Sequence, residues 1–144
     1  MKSIITSFLI LVLTAGFSSG NSKKLNIAVN GRSSYKIVLV RPASAYDSLA
    51  AAELVKYIKE VSGADILWST GTPAGNLEIV LKHNEAVKRD GYRIYVTGNS
   101  LIIEGGERRG ILNGVYTFLE KFLGCRMYTS AVKYIPLKKT ISIP

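Results

Sequence analysis

One cysteine and one histidine in 144 residues leave little room for the commonest site chemistries. The lone Cys125 permits no intrachain disulfide and no metal site built on thiolates. It lies in the apolar stretch Phe122 to Tyr128 with no histidine beside it, so it reads as a buried small hydrophobe rather than a reactive thiol. The lone His83 excludes paired-histidine metal motifs such as HExxH. No GxSxG elbow accompanies it, so a serine triad has no frame, and His83 reads as an exposed histidine of a loop. Neither GxGxxG nor GxxxxGK[ST] occurs, which argues against a nucleotide site. These absences together predict no metal and no cofactor.

Long basic runs are missing as well, although the formal net charge is +9, from 19 Lys and Arg against 10 Asp and Glu. The densest groups, Arg108-Arg109 and Lys138-Lys139, fall short of the basic run that marks a nucleic-acid patch. The scattered charge reads as a solvated surface, with no nucleic-acid partner. An acidic polysaccharide is the sharper alternative.

What is present begins with an address label. Met1-Lys2 gives a positive start, an apolar run extends from Ile4 to Phe17, and small residues follow at Ser18, Ser19 and Gly20. This is the pattern of a secretory signal peptide, too short in its apolar part for a transmembrane helix. Residues 1–20 are therefore expected to be cleaved, leaving 21–144 as one domain, exported to the periplasm or outside the cell and free of the membrane.

Periodicity predicts the elements of that domain. Leu25 to Asn30 alternates as a strand, Tyr35 to Val40 is a second, and Pro42 ends it. Ser44 and Asp47 have capping-box spacing before a helix. Tyr46, Leu49, Ala50, Leu54, Tyr57, Ile58 and Val61 form its expected apolar face, and Gly63 its stop. Strands are predicted over 64–68, 77–82, 91–97 and 100–104, with Gly98-Asn99 as a hairpin turn. A second amphipathic helix runs from about Glu107 to Leu123, and Gly124 ends it. Short strands follow near 126–128, 132–135 and 140–143. The order β-β-α-β-β-β-β-α, with two amphipathic helices and a mixed sheet, implies an α/β (α+β) two-layer sandwich.

Candidate chemistry is sparse. Gly105 and Gly106 turn the chain, and Gly110 and Gly114 let the second helix approach the sheet. Arg108 and Arg109 open that helix against its dipole, partly offset by Glu107. Either a carboxylate of a sugar acid or another domain engages them, or they are solvated or internally paired. The ten carboxylates announce no pair suited to glycoside hydrolysis. Trp68, Tyr92, Tyr95, Tyr116 and Tyr128 are candidates to stack on sugars, or are core residues.

The string Glu107-Arg108-Arg109-Gly110-Ile111-Leu112-Asn113-Gly114-Val115-Tyr116-Thr117-Phe118-Leu119-Glu120, continued by Leu123-Gly124-Cys125-Arg126-Met127-Tyr128, resembles a segment of the N-terminal domain of α-glucuronidases, glycoside hydrolase family 67. A similar domain precedes the barrel in β-hexosaminidases. The helix Ala51 to Gly63 and the hairpin Gly91 to Gly105 are similar to theirs as well. The resemblance implies a β-hexosaminidase domain 2-like fold, a mixed sheet with two amphipathic helices on one face, beside a catalytic (β/α)8 barrel, expected C-terminal to this region, which supplies the catalytic carboxylates. It assigns no catalytic residue here and leaves Arg108 and Arg109 as a structural or interdomain contact. The expectation is a non-catalytic accessory domain of an enzyme of xylan or related glycan breakdown. A free-standing exported carbohydrate-binding module is the alternative, and a small hydrolase in its own right the third.

Overall fold

The computed structural model describes residues 24–129 and 131–144. The expected signal peptide lies outside them. No helix among the described residues is long and apolar enough to cross a membrane.

Strand β1 (Leu25–Ala28) is followed by β2 (Lys36–Leu39) and helix α1 (Ala45–Ser62). Strands β3 (Leu67–Thr70), β4 (Glu78–His83), β5 (Tyr92–Thr97) and β6 (Ser100–Gly105) come next. Helix α2 (Gly110–Phe118) continues into a π-helical turn, Leu119–Leu123. The short strands β7 (Arg126–Met127), β8 (Lys133–Tyr134) and β9 (Ile141–Ile143) complete the chain.

A mixed five-stranded sheet in the order β3-β2-β4-β6-β5 carries the fold. Four strands are parallel; β5 alone returns antiparallel, through the turn Gly98-Asn99. Both helices pack on one face of it and against each other. The two-layer arrangement is therefore as the periodicity predicts. Side chains alternate across a strand, so Ile37, Leu39, Ile79, Leu81, Leu101 and Ile103 enter the core under the helices. Each such burial contributes about 1.5–3 kcal/mol.

Helix α1 starts as its sequence says. Ser44 is the N-cap, and its hydroxyl and the Asp47 carboxylate close a reciprocal capping box. Gly63 ends the helix in the left-handed region at φ 81°. Its buried residues are Asp47, Ala50, Ala51, Leu54, Tyr57, Ile58, Val61 and Ser62. Tyr46 and Leu49, expected on the apolar face, are not among them and are 44% and 45% exposed. At 100° per residue Leu49 points away from the sheet, onto a side of α1 that no other layer covers.

Some boundaries also differ. Strand β3 runs Leu67–Thr70 rather than from Ala64, because Ala64 and Ile66 are already buried in the connection from α1. Helix α2 begins at Gly110, leaving Arg108 and Arg109 in the preceding turn. Strand β1 does not join the large sheet; it pairs antiparallel with β9, Leu25 opposite Ile143. The final residues reach it by crossing the C-terminal ends of both helices, where the Lys138 amide donates to the Val61 carbonyl and its ammonium to the Leu123 carbonyl.

Candidate functional site

The carboxyl ends of β2, β4 and β6 meet the start of both helices, and the charged residues singled out from the sequence gather there. Arg109 lays its guanidinium over the Tyr46 ring, 5.0 Å from the centroid, and donates to the Tyr46 hydroxyl at 3.4 Å. Its backbone N–H donates to Asp90 Oδ1 at 3.1 Å. Asp90 thus places an anion at the start of α2, where the helix dipole favours one, and compensates the two arginines. The same residue's carbonyl accepts from the Asn113 amide. Arg108 reaches Asp90 only at 4.0 Å, with a side chain 65% exposed. Both arginines therefore have internal partners yet present their charge outward. Asp90 lies 19 residues before Arg109 in the chain, and no sequence signal marks it as a cap.

His83 is not an exposed loop residue. It ends β4 half-buried, with Nε2 at 2.9 Å from Asp47 Oδ2 and Nδ1 at 3.1 Å from the Gly106 carbonyl oxygen. The two ring nitrogens thus face one carbonyl and one carboxylate oxygen, which ties the ring between the end of β6 and the start of α1. The Asp47 oxygen it meets also accepts from the Ser44 amide and hydroxyl. One carboxylate thereby ties β4 to the start of α1. Asp47 sits between histidine and serine and the serine donates to it, so the three groups hold the helix and generate no nucleophile.

The helix-free face of the sheet carries two buried carboxylates. Glu78 is fully buried and accepts from the Ala74 and Gly75 amides, with Lys36 at 3.1 Å. Burial pushes its pKa up, but the two amides and Lys36 outweigh that and hold it below the usual carboxylate range. Glu104 accepts from the Tyr95 hydroxyl at 2.7 Å, the Lys82 ammonium at 2.9 Å and the Asn84 amide at 2.8 Å. Its pKa is likewise lowered, these three bonds overcoming burial, while the bond to Glu104 raises that of Lys82. Both carboxylates are charged, fully bonded and committed to local structure. Neither has the raised pKa of a general acid.

The aromatic candidates do not assemble into a row. Tyr92 packs against α2, its hydroxyl accepting from Thr117. Tyr116 donates to Glu53 across the helix pair. Trp68 lies on the helix side of the edge strand β3 and Tyr95 on the opposite face, as their registers with Ile37 and Ile102 require. Tyr128 stands on the tail, 68% exposed. Cys125 is buried as expected, and burial pushes its thiol pKa up.

The family profile described as glycosyl hydrolase family 20, domain 2, matches residues 23–124. The chain belongs to that family. No curated protein matches it. Of the two relatives in the sequence resemblance, the profile supports the β-hexosaminidase-like domain and does not single out the α-glucuronidases. Family 20 domain 2 is a non-catalytic accessory domain of glycoside hydrolases that usually sits beside a catalytic barrel. The mixed sheet with its two helices accords with that fold.

Proposed function

We propose that this family 20 domain 2 chain is the exported accessory domain of an α-glucuronidase-type glycoside hydrolase acting on xylan or a related glycan. Its catalytic carboxylates belong to a (β/α)8 barrel C-terminal to this region. The family match over residues 23–124 carries the reading. The string from Glu107 to Tyr128 supports its α-glucuronidase form, and the leader pattern of residues 1–20 supports export. Arg108 and Arg109 are the proposed interdomain contact, receiving a carboxylate of the barrel. Their outward charge supports that role, as does the exposed Tyr46 against Arg109.

The intact mass of the natively exported product, detected with an antibody to residues 21–144, tests the proposal. A mass several times the 15.7 kDa of this chain, a new N-terminus near Gly20 and release of glucuronic acid from decorated xylo-oligosaccharides are the expected results. A product of the domain's own mass, or one retaining Met1, overturns it.

A further inference from the structure

Strand β3 forms one edge of the five-stranded sheet and pairs only with β2 among the described residues. The Gly71 amide donates to the Leu39 carbonyl. In a parallel ladder alternate residues turn both backbone groups the same way, so Leu67, Ser69 and Gly71 face β2. Trp68 and Thr70 turn their amides and carbonyls outward, where no described strand meets them. The whole of β3 is exposed, Leu67 at 80% and Trp68 at 39%.

Open edges are normally guarded by a charge or a proline. The opposite edge of the sheet has Arg93 within β5, whereas Leu67-Trp68-Ser69-Thr70 has neither guard. Charge stands only at its two ends. Asp65 precedes the strand, ion-paired with Lys59 and with its side chain still 84% exposed. Arg41 marks the far end, exposed and donating to Thr70 Oγ1 at 3.0 Å. An edge with an acid at one end and a base at the other matches its own reverse.

We infer that β3 is a pairing edge for a second copy of this chain, the two strands running antiparallel across a two-fold axis. The same patch then serves both copies and the assembly closes as a dimer. The antiparallel sense sets Asp65 of each copy toward Arg41 of the other; parallel strands would set Asp65 beside Asp65. The backbone fixes the register. With Trp68 opposite Thr70 of the second copy, every outward N–H and C=O of both strands is bonded. Ser69 then faces Ser69 of the second copy. Leu67 lies opposite Gly71 of the second copy, a position with open space where a side chain would stand. Two five-stranded sheets become one continuous sheet. The contact is at the low end of interface size, so the dimer is weak, with a dissociation constant of roughly 100 μM. The inference goes beyond the accessory-domain reading and does not rest on it, because the edge lies wholly within this domain.

The test is the full exported chain carrying Ser69→Cys, oxidised with glutathione disulfide over a range of protein concentrations. Facing residues of a non-hydrogen-bonded pair have Cα atoms about 4.5 Å apart, within disulfide reach. Cys125 is buried with a raised pKa and does not compete. Expected are a disulfide-linked homodimer whose yield rises with concentration and, for the parent chain, a reversible monomer–dimer equilibrium in sedimentation. Leu67→Cys stands at a well-exposed site but out of register with its own counterpart, so it should link about tenfold more slowly or less. Thr70→Pro removes an outward amide that β2 does not use and should lower linkage through Ser69→Cys about tenfold. Should proline disturb the sheet, Leu67→Lys carries the same comparison. A parent chain that stays monomeric at millimolar concentration overturns the inference. So do equal linkage through Leu67→Cys, linkage indifferent to these edge substitutions, or capture of a different protein in place of a second copy.

Discussion

Glu104 is 5% exposed and still charged, because three donors from three different positions converge on it. A charge removed from water is tolerated only when it is paired and bonded. Its lowered pKa gives the sign of its pH effect: the stabilisation is present above the ordinary carboxylate value and is lost as the pH falls through the folded value. Glu104→Gln is expected to cost about 1–3 kcal/mol at neutral pH. In urea denaturation the gap from the parent protein should close toward acid pH. An equal gap at both pH values would remove the charge from the explanation. Cys125 gives a second prediction. Buried and with a raised pKa, its thiol should resist a disulfide reagent in the native protein and react fully in denaturant. At this scale the sequence was readable only in part. Burial of Cys125 followed from its apolar neighbours. The partners of His83 did not, because Asp47 and Gly106 are brought to it by folding from 36 residues upstream and 23 downstream.

The first helix was legible almost residue by residue, because its signals are local. Ser44, Asp47 and Gly63 act within one turn of where they stand. Ser44→Ala should cost about 0.5–2 kcal/mol in thermal or chemical unfolding. A neutral result would mean that the Asp47–His83 contact alone fixes the start of α1. The second helix was harder to bound. Arg108 and Arg109 read as its first residues, but the sharp approach of β6 to α2 delays the helix to Gly110. A Cβ at Gly105 would collide with the backbone of Gly110 and Ile111. Backbone cannot yield as a side chain can, so Gly105→Ala should abolish cooperative unfolding or lower the melting temperature by well over 5 °C. Gly114→Ala meets the Ile103 side chain at 2.6 Å and should be milder. The exposure of Tyr46 and Leu49 escaped the periodicity because helical spacing reports which side chains are apolar, not which side of the helix a second layer covers.

For the molecule as a whole, the layer order and the mixed sheet followed from the alternation of strand and helix patterns. The place of β1 did not. An alternating strand reads the same in a central sheet as in an antiparallel pair with β9, more than a hundred residues away. That pairing sets Leu25 directly beside Ile143, and the two strands leave the pair at the same end. Tension applied between these two residues pulls the strands apart sideways, so the ladder bonds are loaded one after another rather than together. The pair behaves as a zipper. Force should open β1 and β9 at low load while β3-β2-β4-β6-β5 stays intact, an early step that single-molecule pulling from residues 24 and 144 would register. A domain of this build is well tied at rest and gives first at its own seam under strain.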